Sequence, residues 1–525
     1  MKLIKMMPDK IQIRTNEEEF KNCRLNDLIS ISDGEVTLVT MISLITDNES
    51  DAPVDDDFIL GSFDDTQVSV KLIECSILGS VVGGKFTDAI DRYPNTSVEA
   101  EIIESKAFEE MLSHSMKHSF VLGKYANYDC DALINGNKFY QRHSCIVGNT
   151  GCGKSETVTR IIEETARGTN YRSNIIIFDI HGEYSKLSYV DSIKLGSDFP
   201  FPIWMFGFAD MAANILKIKE ESATVAMSAL RKSYYQVCPE GNENKPIYFE
   251  FAGVLEHMKY LNNQMVETGE TYQTGAKAGL MKTIKGDYNG KLAGIINAME
   301  ALYMDKRYSF LFAHEKQDFL YCFINRIMGG EKCVKNIDLS DVPHDVAVMI
   351  IGVITKLIYN VQLMQKSGSI TPITIVCDEA HVYIPVDFQL SASQRRMVEI
   401  FENIAKEGRK FGITLFVASQ RPSELNRTIM AQCANYIVMK LNNENDKTMI
   451  KGIMSEGSSG IIETTTMFSP GDALVIGDAT SIPLKIHVQL AEERPQSRTI
   501  DFWTEWEKER NSVPYDNYVE EYLKN

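Results

Sequence analysis

A glycine-rich run in the first third of the chain carries the clearest chemical signal. Residues 148–155 read GNTGCGKS and fit the phosphate-loop pattern G-x-x-x-x-G-K-[ST]. The glycines let successive backbone N–H groups point at phosphate oxygens, while Lys154 would contact the β- and γ-phosphates and Ser155 would ligate Mg²⁺. A strand-like SCIVG precedes the loop and a helix-like KSETVTRIIEETA follows it. We therefore predict a nucleotide site that comprises Gly148, Asn149, Thr150, Gly151, Cys152, Gly153, Lys154, Ser155 and Glu156.

A pair of acids ends another predicted strand. Residues 373–381 read ITIVCDEAH, so Asp378 and Glu379 follow a mostly apolar run. In a nucleoside triphosphatase the first acid holds Mg²⁺ through water and the second polarises the attacking water. We predict Asp378 and Ser155 as metal-binding residues and Glu379 as catalytic. The second acid also argues against a simple kinase, which needs no water-activating base.

Two more predicted strands end in polar residues. NIIIFDIHGEY brings Asp179 and Glu183 to such an end, and ITLFVASQRPSEL brings Gln420. Open α/β sheets bind ligands at the carboxyl ends of their strands, so we assign catalytic roles to these three residues. Gln420 would sense the γ-phosphate or position water, although a polar residue that merely closes a strand is the alternative. His181 and His381 are more simply explained by local hydrogen bonds.

The elements that must position these residues alternate between short apolar strands and helical segments from about residue 140. This alternation predicts an α/β fold with a parallel sheet covered on both faces. The first part of the chain is instead rich in short β-branched strands, which are typical of a small β-barrel. The predicted organisation is a β-barrel at 1–125, a core at 126–204 and 341–495, a helical insertion at 205–340, and a C-terminal helix and tail at 496–525.

Composition limits the class of protein. The 525 residues include 72 acids against 54 lysines and arginines, a formal net charge of −18, which excludes a generally basic, histone-like protein. Ten cysteines show no zinc-ligand spacing, so reduced thiols inside a cell are the simplest interpretation. The N-terminus lacks the apolar core of a signal peptide, and the longest apolar run, 346–354, is too short to span a bilayer. We expect a cytoplasmic protein with no membrane partner.

Five segments in order carry a resemblance to a known family: RHSCIVGNTGCGKS, FDIHGEY, IVCDEAH, IAKEGRKFGITLFVASQRPSEL and PGDALVIG. Together they resemble the HerA/FtsK group of hexameric RecA-like motor ATPases, and the HerA branch is the closer match. The resemblance implies a RecA-like core, a homohexameric ring with ATP between subunits, and double-stranded DNA in the channel. It makes Arg409 the arginine finger in trans, Gln420 the sensor and Arg142 a phosphate-facing arginine. Phosphoryl transfer also needs a cation near the leaving charge, and by chemistry alone Arg421 and Arg427 are further candidates for it.

The resemblance also bears on partners. HerA proteins usually act with a partner nuclease, and in bacterial antiphage operons the partner can be a nuclease or a sirtuin-type NAD hydrolase. Two functions follow: a motor that couples ATP hydrolysis to DNA translocation, or an ATP-regulated ring scaffold that activates its effector. The intact hydrolytic residues favour the first and the acidic charge favours the second. A membrane-bound DNA pump and a monomeric P-loop enzyme are further alternatives.

Two details depart from the group's pattern. Cys152 stands where a serine is common and offers an oxidisable thiol. Within the insertion, 271–291 reads as a Gly- and Lys-rich loop, a candidate for DNA contact alongside 306–308. A solvated lysine loop is the simpler interpretation of both. The lysines concerned are Lys277, Lys282, Lys285, Lys291 and Lys306.

Overall fold

A computed structural model describes most of the chain. The described residues are all except 35, 49–69, 84, 88, 91, 96–97, 113–116, 219–223, 274–278, 366–367, 387–389, 391, 454–460, 481, 498–500, 508–514 and 525. They form two compact units. The first unit comprises Met1–Ser173, Glu379–His381 and Thr414–Arg494, and the second comprises Asn174–Asp378, Val382–Ile413 and Pro495–Asn525.

The first unit begins with an antiparallel sheet in the order β1-β2-β5-β4-β3-β7, in which β6 also pairs with β5. Alternating strands such as KIQIRT turn isoleucines inward, and Ile11, Ile13 and Ile73 are part of the resulting core. A bridge between Lys2 and Glu99 joins the two ends of this strand order. The strands are β1 Lys2–Met6, β2 Lys10–Thr15, β3 Leu28–Ser32, β4 Thr37–Asn48, β5 Val70–Val82, β6 Lys85–Thr87 and β7 Ala100–Ile102.

A second sheet of the first unit has the order β17-β10-β18-β19-β20-β8-β9, parallel at its β17-β10-β18 end and antiparallel elsewhere. Its strands are β8 Ser119–Tyr125, β9 Asp131–Asn135, β10 Ser144–Val147, β17 Ile413–Ser419, β18 Asn435–Val438, β19 Asp472–Gly477 and β20 Lys485–Val488. Because β8 pairs with β9 and β20, this sheet starts at Ser119, before the boundary predicted at residue 125.

The helices of the first unit lie between these strands. The longest, α4, follows the glycine-rich loop and turns the apolar side chains of Val158, Ile161 and Ile162 inward. The helices are α1 Glu17–Asn22, α2 Ser105–Leu112, α3 Gly136–Gln141, α4 Lys154–Gly168, α12 Arg427–Gln432, α13 Glu444–Lys451 and α14 Ile461–Thr464.

The second unit is built on a four-stranded parallel sheet in the order β12-β15-β11-β16. β11 and β16 are buried along their whole length, as strands covered on both faces should be. The strands are β11 Ile175–Asp179, β12 Val190–Lys194, β15 Val334–Asp338 and β16 Ile373–Cys377. β15 falls inside the range 205–340 that we predict to be a helical insertion, so the described insertion ends before Val334.

The stretch before β15 is mainly helical, with one exception. Met265–Thr271 (β13) and Met281–Lys285 (β14) pair as an antiparallel hairpin. β14 lies within the segment 271–291 that the sequence suggested to be a loop, and β13 lies almost wholly before it. β-branched Val266 and Ile284 face each other across it, a pairing that the glycines and lysines of the segment obscure. The helices are α5 Gly207–Asp210, α6 Thr224–Val237, α7 Phe251–Asn263, α8 Ala293–Met304 and α9 Asp318–Met328.

Four further helices complete the second unit: α10 His344–Met364, α11 Ala392–Glu407, α15 Phe502–Glu507 and α16 Tyr515–Lys524. In the described part of the chain, α10 alone has the length and apolar composition to cross a membrane, and 56% of its most apolar window is buried within the protein. The predicted C-terminal helix is two short helices with exposed aromatic side chains, among them Trp503 and Trp506.

Tyr128 ties the N-terminal sheet to the segment between β8 and β9. Its hydroxyl oxygen accepts a hydrogen bond from the backbone N–H of buried Leu28 at 2.8 Å. We expect Tyr128→Phe to lower the free energy of unfolding by about 1–3 kcal/mol, because the Leu28 N–H is left buried without a partner. The urea midpoint measures this. Tyr93→Phe removes a comparable bond, from the Tyr93 hydroxyl to the Pro8 carbonyl, at an exposed site and should change stability by less than about 0.5 kcal/mol. Equal losses in the two variants would contradict this account.

Candidate nucleotide site

The glycine-rich loop is held by backbone hydrogen bonds to other strand ends of its sheet. The Gly148 N–H donates to the carbonyl of Ser419 at 3.4 Å, and the Asn149 N–H donates to that of Lys440 at 2.9 Å. The Cys152 carbonyl accepts from the N–H of Gly471 at 3.0 Å. The ends of β17 and β18 and the start of β19 therefore fix the path of the loop.

Three glycines are required by this path. Gly151 and Gly153 have φ values of +77° and +100°, in the left-handed region that side chains disfavour. A Cβ atom on Gly148 would lie 2.7 Å from the Cys152 sulfur and 2.8 Å from Cβ of Met439. Gly153 is also the N-cap of α4 and offers no side chain to the first helical N–H groups, which stay available to an anion.

The residues at the end of the loop, where α4 begins, are suited to binding a triphosphate. Lys154 is only 8% exposed, and its Nζ donates to the Asn149 carbonyl at 3.3 Å, which holds the ammonium group against the loop. Ser155 and Glu156 lie in the first turn of α4. Ser155 and Asp378 carry the hard oxygen donors that Mg²⁺ prefers. The chain thus has the donor set for a phosphate and its metal ion.

Cys152 belongs to the loop, and its side chain is buried beneath it. Its side chain is 3% exposed, and its sulfur is 3.8 Å from the sulfur of Met439. Burial raises the pKa of the Cys152 thiol, so the reactive thiolate is disfavoured. Burial therefore argues against the oxidisable thiol expected at this position, since the thiol packs as a small apolar group under the loop.

A chain of side-chain hydrogen bonds links the loop to the acidic motif. Thr150 Oγ1 donates to Gln420 Oε1, and Gln420 Nε2 donates to Glu379 Oε1. Glu379 is 7% exposed and has a φ of +45°, a strained conformation for a residue with a side chain. Three residues that the sequence places far apart thus meet at one point.

His381 lies on the other side of this carboxylate. Its Nδ1 is 3.3 Å from Glu379 Oε2 and 3.3 Å from Ser419 Oγ. Burial is the main cause that lowers the pKa of His381, so the imidazole is neutral at neutral pH. Ser419 Oγ in turn accepts from the Arg421 N–H at 3.0 Å.

Asp179 is buried at the end of β11 and accepts four hydrogen bonds. Its oxygens take the backbone N–H groups of 182–184 and the side-chain amide of Asn336, at 2.7–3.0 Å. Burial raises the pKa of Asp179 in spite of these donors. These bonds fix the turn that carries Glu183, whose Oε2 is buried without a hydrogen-bond partner in the part of the chain that the structure describes. The geometry gives Asp179 a positioning task, and a direct role in catalysis stays a prediction.

The predicted arginines lie apart from the loop or are paired. Arg142 precedes β10, at the strand end opposite the loop, and forms an ion pair with Asp478. Arg409 belongs to a 3-10 turn, Gly408–Phe411, of the second unit, where its side chain is exposed and has no ion pair among the described residues. Arg421 pairs with Glu424 at 2.9 Å, and Arg427 begins α12. The structure therefore does not bring Arg142 to the phosphate loop of its own chain.

Two of the candidate DNA-binding lysines, Lys282 and Lys291, have partners of their own. Lys282 pairs with Glu270 at 3.1 Å, and the Lys291 ammonium donates to the Asp287 carbonyl at 2.8 Å. Arg307, beside Lys306, is held by Asp305. Lys277 lies outside the described residues. The ion pairs of Lys282 and Arg307 reduce the local positive charge on which a DNA contact would depend, whereas the bond of Lys291 to a carbonyl does not.

The sequence analysis missed the residues that clamp the loop from outside. Met439 and Gly471 contact the loop. Asp472, the first residue of β19, pairs with His487 at 3.0 Å and with Lys485 at 2.8 Å. The Gly-Asp pair in PGDALVIG is the sequence signal that could have indicated this contact. Its glycine, Gly471, has a φ of +88°, a conformation that favours glycine.

Residues 120–358 match the family model described as "Helicase HerA, central domain". Over this range the chain resembles the HerA family. It is a P-loop ATPase with an α/β, RecA-like fold, as the sequence analysis predicted.

Curated HerA relatives are similar over most of the chain. "DNA double-strand break repair helicase HerA" of Sulfurisphaera tokodaii is 26% identical over 415 residues, which are 77% of this chain and 76% of the relative. The protein of the same name from Saccharolobus solfataricus is 25% identical over 77% of this chain and 75% of its own length. "Probable helicase MJ1565" of Methanocaldococcus jannaschii is 24% identical over 73% and 69%.

Two solved structures are similar to part of this chain. VirB4 of Thermoanaerobacter pseudethanolicus has a TM-score of 0.48 at 14% identity, and it covers 72% of this chain and 97% of its own. The plasmid coupling protein TrwB in complex with a non-hydrolysable ATP analogue has a TM-score of 0.43 at 14% identity, with 69% and 88% covered.

Thiol reactivity tests the burial of Cys152. Cys322 is the one exposed cysteine, and the other nine are buried. We expect a disulfide reagent such as DTNB to titrate about one thiol per native chain rapidly and all ten after denaturation. Cys322→Ser should remove the rapid phase, whereas Cys152→Ser should leave it unchanged. Loss of the rapid phase in Cys152→Ser would refute the burial argument.

Proposed function

We propose that this ATPase forms a homohexameric ring that uses ATP and Mg²⁺ to translocate double-stranded DNA. In this proposal the ring works with a partner nuclease or another effector, such as a sirtuin-type NAD hydrolase, and antiphage defence is one setting. The observation that carries the proposal is the hydrogen-bonded chain Thr150–Gln420–Glu379, which links the phosphate loop to an acid suited to activating water.

Each residue of the site has a proposed task. Lys154 and the N–H groups of the loop bind the β- and γ-phosphates, and Ser155 and Asp378 hold Mg²⁺, which neutralises phosphate charge when bound. Glu379 accepts a proton from the attacking water or orients it. Gln420 touches both the loop and the acid, so it can report the presence of a γ-phosphate to Glu379.

The arginine assignments require a second subunit. Arg409 is exposed and unpaired among the described residues, as an arginine that reaches a neighbour's nucleotide should be. Arg142 lies at the far end of β10, so a phosphate contact by it requires the nucleotide of another subunit. Glu183 and Asp179 are proposed to support catalysis from the end of β11.

The names of the archaeal relatives, DNA double-strand break repair helicases, support DNA as the substrate of the motor. The charge of this chain qualifies that support. A net charge of −18 per chain requires a locally basic channel for duplex DNA, whereas a scaffold that only switches an effector has no such requirement. The acidic charge is therefore the observation that keeps the scaffold as the second candidate.

Steady-state ATPase rates with and without duplex DNA, together with mass in solution, separate the two candidates. A motor should form a species of about 355 kDa, six times the 59.2 kDa chain, and duplex DNA should stimulate its turnover several-fold. Lys154→Ala should abolish nucleotide binding, and Glu379→Gln should bind ATP but hydrolyse it at least about 100-fold more slowly. A ring with slow turnover that DNA does not change would favour the scaffold. Normal turnover in either variant would contradict the assignment of the site.

Mixing variants tests Arg409 across an interface. Arg409→Ala should bind ATP and lose most of its activity, because the cation that stabilises the transition state is missing. Mixed with Lys154→Ala subunits, it should regain some activity, since a Lys154→Ala subunit can donate Arg409 to an intact neighbouring site. Lys410→Ala, one residue further along the same turn, is the matched control and should remain active alone. If the mixture stays as inactive as its separate components, Arg409 does not act in trans.

A further inference from the structure

Glu379 needs support on both of its oxygens. Oε1 accepts from Gln420, but Oε2 is buried and makes no well-aligned hydrogen bond with any described residue. Burial of a carboxylate oxygen without a hydrogen-bond donor costs free energy, and it leaves the carboxylate group free to rotate. Nδ1 of His381 lies 3.3 Å from Oε2.

His381 is itself fixed by a neighbour from β17. Its Nδ1 is 3.3 Å from Ser419 Oγ, and the carbonyl of the same Ser419 accepts the N–H of Gly148 in the phosphate loop. Ser419 Oγ also accepts the Arg421 N–H, which limits the rotation of the hydroxyl. The imidazole therefore contacts a residue that is hydrogen-bonded to the phosphate loop.

In the tautomer with its proton on Nδ1, His381 presents an N–H beside Glu379 Oε2, and Ser419 Oγ is then an acceptor. A lone pair on Nδ1 would face the carboxylate and repel it, whereas an N–H there attracts Oε2. Burial lowers the pKa of His381 and so keeps the ring neutral, which leaves one ring N–H as a donor. The charged groups around the ring are Glu379, Glu424, Arg421 and Lys154.

We propose that His381 is a positioning residue that holds Glu379 Oε2 through Nδ1–H, so that the carboxylate faces the attacking water. The proposal rests on the assignment of Glu379 as the water-activating base. His381 touches neither nucleotide nor water in this role. The left-handed backbone of Glu379 adds to the need for such support, because a strained conformation persists only where its surroundings fix it.

The role of His381 can be measured on the full-length chain as kcat and KM for ATP. We expect His381→Ala to lower kcat at least ten-fold while KM and the affinity for a fluorescent ATP analogue stay within two-fold. His381→Asn places an amide N–H near the position of Nδ1 and should recover turnover to within about three-fold of wild type. His314→Ala, at an exposed histidine of the second unit, is the control and should match wild type.

Three outcomes would overturn the proposal. They are wild-type kcat in His381→Ala, an Asn variant as slow as the Ala variant, and a loss of kcat that comes with an altered thermal midpoint or mass. Glu379→Gln measured in parallel separates the two levels of inference. If Glu379→Gln hydrolyses ATP normally, the proposed function fails, and if it is inactive while His381→Ala is normal, only the positioning role fails.

Discussion

The phosphate loop is held in place by backbone hydrogen bonds from other strand ends, and the rest of the nucleotide site depends on this constraint. A loop rich in glycine has little conformational preference of its own, so its shape must come from its surroundings. Here the bonds from Gly148, Asn149 and Cys152 use main-chain atoms of the neighbouring segments. The side chains around the loop are thereby left free for chemistry.

The same constraint explains why an acid far along the chain can act at the loop. β17 pairs in parallel with β10, in a register that sets Val147 opposite Ser419. The residue after each strand therefore emerges at the same sheet edge, which brings Gln420 to Thr150. Glu379 then meets Gln420, and His381 meets Ser419. The contacts on both sides of the carboxylate follow from the pairing of two strands.

The sequence predicted the parts of the site that obey a local pattern. The phosphate loop, its strand and its helix lie where GNTGCGKS indicated, and the acids follow β16. It could not predict contacts that depend on register, such as Ser419 with His381, because strand pairing is a property of the folded sheet. The hairpin β13–β14 was missed for a related reason, since Gly and Lys concealed the cross-strand pair Val266 and Ile284. The hydrogen bonds of Asp179 could not be predicted either, because a strand end gives no sign of how many N–H groups the following turn will aim at a carboxylate.

The charge of the chain limits how tightly it would bind a polyanion such as the proposed DNA substrate. Duplex DNA binding depends on lysines and arginines that release counterions, and an ion pair within the chain removes a cation from that count. Lys282 and Arg307 are paired in this way with Glu270 and Asp305, in a chain whose acids exceed its bases by 18. Surface pairs of this kind are worth little individually, so DNA could displace them at small cost. The acidic background would still favour brief contacts that are sensitive to salt over tight binding. Such contacts would suit the proposed motor, which must release each phosphate before it engages the next.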